Sequence, residues 1–247
     1  MDFNIKKPSN IFALIMMILV FFLMFGLPML SYFNIISSNE TVQMDQIPES
    51  VRQTIEIIAF LIQIALLMVI PIMAVLLWYS LVNKLTIKEG ISHLKLKLEG
   101  IDAAFLWGII SGIVMLVIGI AISYILVMAK QNPEGNVQQI LEYFSIPSAF
   151  ILVTIQPISE EIFFRGFLLE KIGSFFGEII AIFATAILFG LAHMGYGGYY
   201  PVVFPMLLGL ILGAVVVKTK NLYSSIIAHI LFNFTVFMLA IFSTSLT

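Results

Sequence analysis

Hydrophobic residues fall in seven long stretches, roughly 11–32, 54–81, 101–128, 148–169, 177–194, 200–217 and 224–243, separated by short polar connections. A bilayer core of ~30 Å needs about 20 apolar residues per helical span, and each stretch approaches or meets that length. The pattern predicts an all-α fold, a polytopic membrane bundle of about seven transmembrane helices. The first stretch follows Lys6 and Lys7 as a signal peptide would. Its apolar run from Ile11 to Leu30 exceeds a normal signal core, however, and no small-residue cleavage site follows, so it reads as a retained span. Between the second and third stretches Leu94, Leu96 and Leu98 alternate with His93, Lys95, Lys97 and Glu99. That period of two fits a short strand or extended segment with one apolar face, but the basic residues favour a loop lying on anionic lipid, and His93 is assigned no chemistry.

Composition narrows the class. Of 247 residues 61% are hydrophobic and only 11% charged, where ~25% charged is usual, and the mean hydropathy of +1.09 excludes a soluble domain. The formal net charge is −2, from 12 basic and 14 acidic residues. No basic block exists to neutralise a row of phosphates, so nucleic-acid binding has no electrostatic basis and the expected partners are the lipid bilayer and a peptide or protein. The absence of cysteine removes disulfides, thiolate metal ligands and a thiol nucleophile together. With the N-terminus in the cytoplasm, ten of the twelve basic residues fall on the inner side: Lys6, Lys7, Lys84, Lys88, Lys95, Lys97, Arg165, Lys171, Lys218 and Lys220. The positive-inside rule selects that orientation. The outer connections 33–50 and 129–147 then carry Glu40, Asp45, Glu49, Glu134 and Glu142 with the turn formers Pro48, Asn132-Pro133 and Pro147. Trp78, Tyr79 and Trp107 are expected at the inner headgroups, and Tyr196, Tyr199 and Tyr200 at the outer ones. Gly108-xxx-Gly112 and Gly209-xxx-Gly213 permit close helix approach, within the monomer or across a dimer.

The chemistry is concentrated in the fourth stretch, where Glu160, Glu161 and Arg165 interrupt an apolar helix. Each costs ~2.5–3.5 kcal/mol at the centre of a span and so requires a reason. Glu161 and Arg165 stand at i and i+4 with the acid N-terminal, the favourable order for a helical ion pair, and a bidentate structural pair is predicted. At ~100° per residue Glu160 then points elsewhere, without that partner, which makes it the candidate catalytic base. Pro157 removes a backbone donor and frees the Val153 carbonyl just before the acidic pair, predicting a kink beside a wet cavity.

Two of the three histidines are also intramembrane. Phe189-Gly-Leu-Ala-His193 ends the fifth span, and His229-Ile-Leu-Phe-Asn233 sets an imidazole and a carboxamide one turn apart in the seventh. Ionisable groups in a membrane face the bundle interior, so these side chains should converge with Glu160. Simple rise arithmetic puts His229 ~8 Å and His193 ~21 Å into their spans, which requires the fifth span to start in the cytosol near Gly177 or to tilt. Together the set contains what amide hydrolysis needs: Glu160 to take a proton from water, imidazoles to hold that water, and Asn233 to donate to a developing oxyanion. There is no His-Glu-x-x-His helix or Gly-x-Ser-x-Gly elbow, and the three aspartates, Asp2, Asp45 and Asp102, lie outside mid-span. Metal need not be involved, although a divalent ion such as zinc held by Glu160, His193 and His229 stays open on this ligand set. A non-catalytic membrane protein and a proton-coupled transporter are the rival classes.

Glu160-Glu161-xxx-Arg165, Phe189-xxx-His193 and His229-xxx-Asn233, in this order on successive helices, resemble the three motifs of the CPBP family, which comprises the type II CAAX prenyl proteases and the bacterial Abi, or bacteriocin-processing, proteins. The resemblance covers about residues 148–240 and divides the chain into three N-terminal spans, 1–147, and a catalytic core of four, 148–243. It implies an intramembrane endopeptidase in which Glu160 activates water with help from His193, while His229 and Asn233 stabilise the oxyanion. Glutamic and metal-dependent mechanisms are both described for the family. Short connections and compact length are more similar to the bacterial branch, implying a bacterial cell membrane and, as the alternative function, a bacteriocin-immunity or regulatory factor of the same fold.

Overall fold

The computed structural model describes residues 3–33, 35, 48–130, 140–141 and 143–244. Among them, seven helices are long and apolar enough to cross a membrane, and no strand occurs. They are α1 (Pro8–Tyr32), α2 (Glu49–Val82), α4 (Ile101–Met128), α5 (Ile146–Phe176), α6 (Glu178–Tyr196), α7 (Tyr200–Thr219) and α8 (Tyr223–Ser243), with a short helix, α3 (Ile87–His93), between α2 and α4. The seven predicted spans are all present and the chain is an integral, multi-pass membrane protein. Glu40, Asp45, Asn132, Pro133, Glu134 and Glu142 lie outside the described residues.

The segment after α3 is a loop and not a strand. Thr86 caps α3 through a reciprocal box in which its hydroxyl accepts from the Glu89 amide and the Glu89 carboxylate accepts from the Thr86 amide. The helix ends at His93, and the alternating leucines follow it. Residues beyond His93 form turns, with Leu94 buried in the core and Leu98 exposed. The Lys95 carbonyl accepts from the Leu222 amide at 3.0 Å, tying this turn to the start of α8. Tyr79 is buried within the protein, and its hydroxyl donates to Glu170 at 2.9 Å. The Lys218 ammonium lies over the Trp107 ring, 3.3 Å from its centroid.

Proline shapes two of the contacts that position the site. In α2, Pro71 has no N–H for the Leu67 carbonyl, and the preceding turn, Ala65–Val69, is π-helical. The carbonyls of Leu67 and Met68 are satisfied instead by the Ser159 hydroxyl of α5, at 3.0 and 3.2 Å. The residue before Glu160 is thereby anchored to a neighbouring helix. In α5 the assigned α-helix continues through Pro157, and the departure from α geometry follows the acidic pair, as the π-helical segment Ile162–Leu168. At the end of α5, Gly177 adopts a φ of 86°, which lets the chain reverse into α6 with no intervening loop.

Both glycine pairs are used within the chain. A Cβ at Gly108 would lie 2.9 Å from the Ser224 carbonyl oxygen and 2.9 Å from Ile227 Cβ, and one at Gly112 would meet Leu231 Cδ2 at 2.8 Å, so α4 seats directly on α8. A Cβ at Gly209 would approach Ala186 Cα to 3.0 Å, bringing α7 onto α6. Gly108→Ala is expected to force α4 away from α8 and to lower stability by about 1–3 kcal/mol. Thermal unfolding in detergent checks this, and an unshifted transition would show that the interface has slack. The main buried core runs through α1, α2, α5, α6, α7 and α8, across the 147/148 boundary.

Candidate active site

The pair Glu161 and Arg165 sits in the most enclosed span, α5, with both side chains fully buried. Arg165 Nη1 donates to Glu161 Oε1 at 2.8 Å. The bidentate geometry expected from spacing is not formed, because the same oxygen also accepts from His229 Nδ1 at 2.9 Å and the guanidinium instead lies over the Phe189 ring, 4.2 Å from its centroid. Arg165 Nε and Nη2 have no hydrogen-bond partner among the described residues. Glu161 therefore has a second role that spacing did not disclose: it links the arginine of its own helix to the histidine of α8.

Glu160 faces away from that pair, as the ~100° turn per residue requires. Its Oε1 accepts from Gln156 Nε2 at 2.8 Å, and its Oε2 lies 3.8 Å from His229 Nε2. Gln156 was missed in the sequence, although its position four residues before Glu160 is the signal that would have found it. His229 stands between two carboxylates, with Nδ1 hydrogen-bonded to Glu161 and Nε2 3.8 Å from Glu160, and with the Glu160 side chain 12% and the His229 side chain 6% exposed. Since an ionised Glu161 can only accept, Nδ1 of His229 carries hydrogen, and Nε2 is the nitrogen presented to Glu160.

His193 ends α6 with Nδ1 bonded to the Phe189 carbonyl at 2.8 Å, which assigns hydrogen to Nδ1 and leaves Nε2 as the free nitrogen. The separation in depth expected between the two histidines is bridged by Phe189, whose ring contacts both imidazoles, with centroids at 4.8 Å from His193 and 5.6 Å from His229. Helix α6 starts at Glu178, paired with Lys220 just before α8, so its first residue lies at the lysine-bearing end of the bundle. Glu160, His193, His229 and Asn233 all line one cavity of about 650 Å³. Glu160 and His193 also border a second, of about 300 Å³, that reaches α1 and α2 through Met24, Pro28 and Leu67. Walls of both cavities thus come from the two halves of the chain. Tyr196 lines both and stacks on the His193 ring at 6.1 Å, a contact unread in the sequence beyond its aromatic character.

The zinc alternative can be tested against this geometry. The free Nε2 atoms and Glu160 are suitable donor types, yet no three His, Asp or Glu side chains among the described residues are grouped as a metal site. The arrangement does not fit a preformed ligand set, and no step below uses a metal. Chemically, the site is a carboxylate without a cationic neighbour of its own, beside two oriented imidazoles and a carboxamide, at the wall of a largely apolar chamber.

A family model described as Type II CAAX prenyl endopeptidase Rce1-like matches residues 142–235, from the approach to α5 through the His229 and Asn233 turn of α8. The chain matches no curated protein and no solved structure. The matched residues contain all three motifs and each of the side chains brought together above. The chain is a multi-pass membrane protein whose segment 142–235 is similar to the Rce1-like type II CAAX prenyl endopeptidases.

Proposed function

We propose that the protein is an intramembrane endopeptidase that hydrolyses peptide bonds of a membrane-associated peptide or protein tail, with Glu160 as general base. One observation carries the reading: Glu160 avoids the buried arginine, is fixed by Gln156, and presents its free oxygen to His229 at the edge of a chamber. In the reaction Glu160 takes a proton from water as the water oxygen attacks the scissile carbonyl. His193, its ring fixed by the Phe189 carbonyl, directs its free nitrogen at that water. The oxyanion forms opposite Asn233 and His229, the latter protonated at Nε2 and stabilised in that form by Glu161. Glu160 then returns the proton to the departing amine as the C–N bond breaks. Residues 148–243 form the catalytic core, residues 1–147 complete its walls, and the chain sits in a bacterial cell membrane with its N-terminus cytoplasmic.

Purified protein in liposomes, offered a panel of membrane peptides, provides the test. His193→Ala and His229→Ala are each expected to lower cleavage by roughly 10²–10⁴-fold, the usual weight of an acid–base or oxyanion group, with chelators leaving the wild type unaffected. Full activity in both variants would refute the assignment. Chelator-sensitive activity that added zinc restores would transfer Glu160 and the histidines to a metal.

A further inference from the structure

The large cavity is not centred in the bundle: it is displaced toward one end. α4 lines it with residues from Leu116 to Val127, the second half of the helix, and α5 with residues from Leu152 to Glu160, the first half. α6 contributes only its end, from Phe189 to Tyr196, α7 its start, from Tyr200 to Leu208, and α8 the stretch from His229 to Leu239. Because consecutive spans run in opposite directions, these five segments all lie toward the same end, where α4, α6 and α8 finish and α5 and α7 begin. Lining residues Ile120, Tyr124, Val127 and Leu239 are exposed there, and Ser123 and Thr235 add hydroxyls to the wall.

Past Glu160 in the other direction the chain is packed shut. Phe163, Phe164 and Phe167 are buried, Leu94 and Leu222 are buried beside Gly166, and the Arg165–Glu161 pair fills the remaining centre. That closed end is also the lysine-bearing end. It is tied together by Glu178 with Lys220, by the Lys95 carbonyl with the Leu222 amide, and by Asn221 Nδ2 with the Lys97 carbonyl at 2.9 Å. At the cavity end the described basic residues are Arg52, paired with Glu49, and Lys130. Charge asymmetry of this kind sets orientation, with the lysine-bearing end in the cytoplasm.

We infer that the chamber is entered from the extracytoplasmic end, and that its substrate is a membrane-associated peptide or protein that passes an extended segment inward from that side, with apolar flanking side chains to match the wall. The substrate half of this inference rests on the endopeptidase reading; the direction of access does not. Buried aromatics and the ion pair form the floor, and Glu160 lies about 14 residues, or ~21 Å, from the start of α5, deep enough for an extended segment to reach it from outside.

The chain has no cysteine, so single cysteines can be read without background. Ser123→Cys and Thr235→Cys report on the cavity wall, and Ser174→Cys, exposed at the end of α5, reports on the closed end. A membrane-impermeant sulfonated maleimide is applied to spheroplasts and to inverted vesicles holding the full-length protein. The expected result is labelling of both wall cysteines in spheroplasts and its loss in inverted vesicles, with Ser174→Cys showing the reverse. Wall cysteines labelled only in inverted vesicles would overturn the inference, as would a wall unreactive from both sides while Ser174→Cys still reacts. Labelling needs no catalysis, so failure of all peptides to be cleaved would count against the endopeptidase reading and leave the direction of access standing. Cleavage confined to peptides presented at the lysine-bearing face would instead defeat the substrate assignment alone.

Discussion

Glu160→Gln abolishes peptide cleavage while leaving the fold intact. The amide keeps the volume of the carboxylate and can still bond Gln156, but it cannot accept a proton from water, so a loss of roughly 10²–10⁴-fold in kcat/KM is expected, with kcat bearing most of it. The 12% exposed Glu160 side chain makes no ion pair with Arg165, whose hydrogen-bonded partner is Glu161, so its neutralisation leaves the buried pair in place. Melting temperature and folded yield should therefore match the wild type. Cleavage by Glu160→Gln at the wild-type rate, measured with a peptide that His193→Ala fails to cut, would take the base role away from this residue.

The opposite separation is expected five positions along the helix. Arg165→Met leaves the Glu161 carboxylate, 0% exposed, without its cation, and removal of one member of a buried pair costs about 3–5 kcal/mol. Folded yield and thermal stability should fall sharply, well below those of Glu160→Gln. The double variant Glu161→Leu with Arg165→Leu removes both charges and should recover much of that stability, since an apolar replacement of a buried pair is often neutral. It also removes the acceptor that orients His229 Nδ1, so activity should remain low in a well-folded protein. A stable and active double variant would mean that Glu161 neither orients nor stabilises His229. Normal yields for the single Arg165→Met variant would remove the structural role of the pair.

The bundle was legible because lipid imposes one rule on length and polarity: about 20 apolar residues per span make a helix visible without any knowledge of its partners. The same rule exposed Glu160, Glu161 and Arg165, since a charge in hydrocarbon is anomalous wherever it packs. Spacing on one helix also separated the carboxyl that meets Arg165 from the one that does not. What spacing could not supply was contact between helices. That His229 binds Glu161 at 2.9 Å and approaches Glu160 to 3.8 Å depends on how α8 is rotated against α5, which no single-helix periodicity encodes. The single rather than bidentate arginine contact has the same origin, for the competing donor comes from another span. The alternation at Leu94, Leu96 and Leu98 makes no strand, because these residues form the loop that follows the capped helix ending at His93.

Everything functional here requires Glu160, His193 and His229 to share one solvent molecule across three helices. An experimental map of the wild-type protein in lipid nanodiscs, at a resolution that shows ordered water, addresses this directly. The expected density is a water within about 2.6–3.2 Å of a Glu160 carboxylate oxygen and of at least one imidazole Nε2. A Glu160 side chain turned toward the acyl chains, or a His193 ring facing away from a dry chamber, would contradict the hydrolytic site.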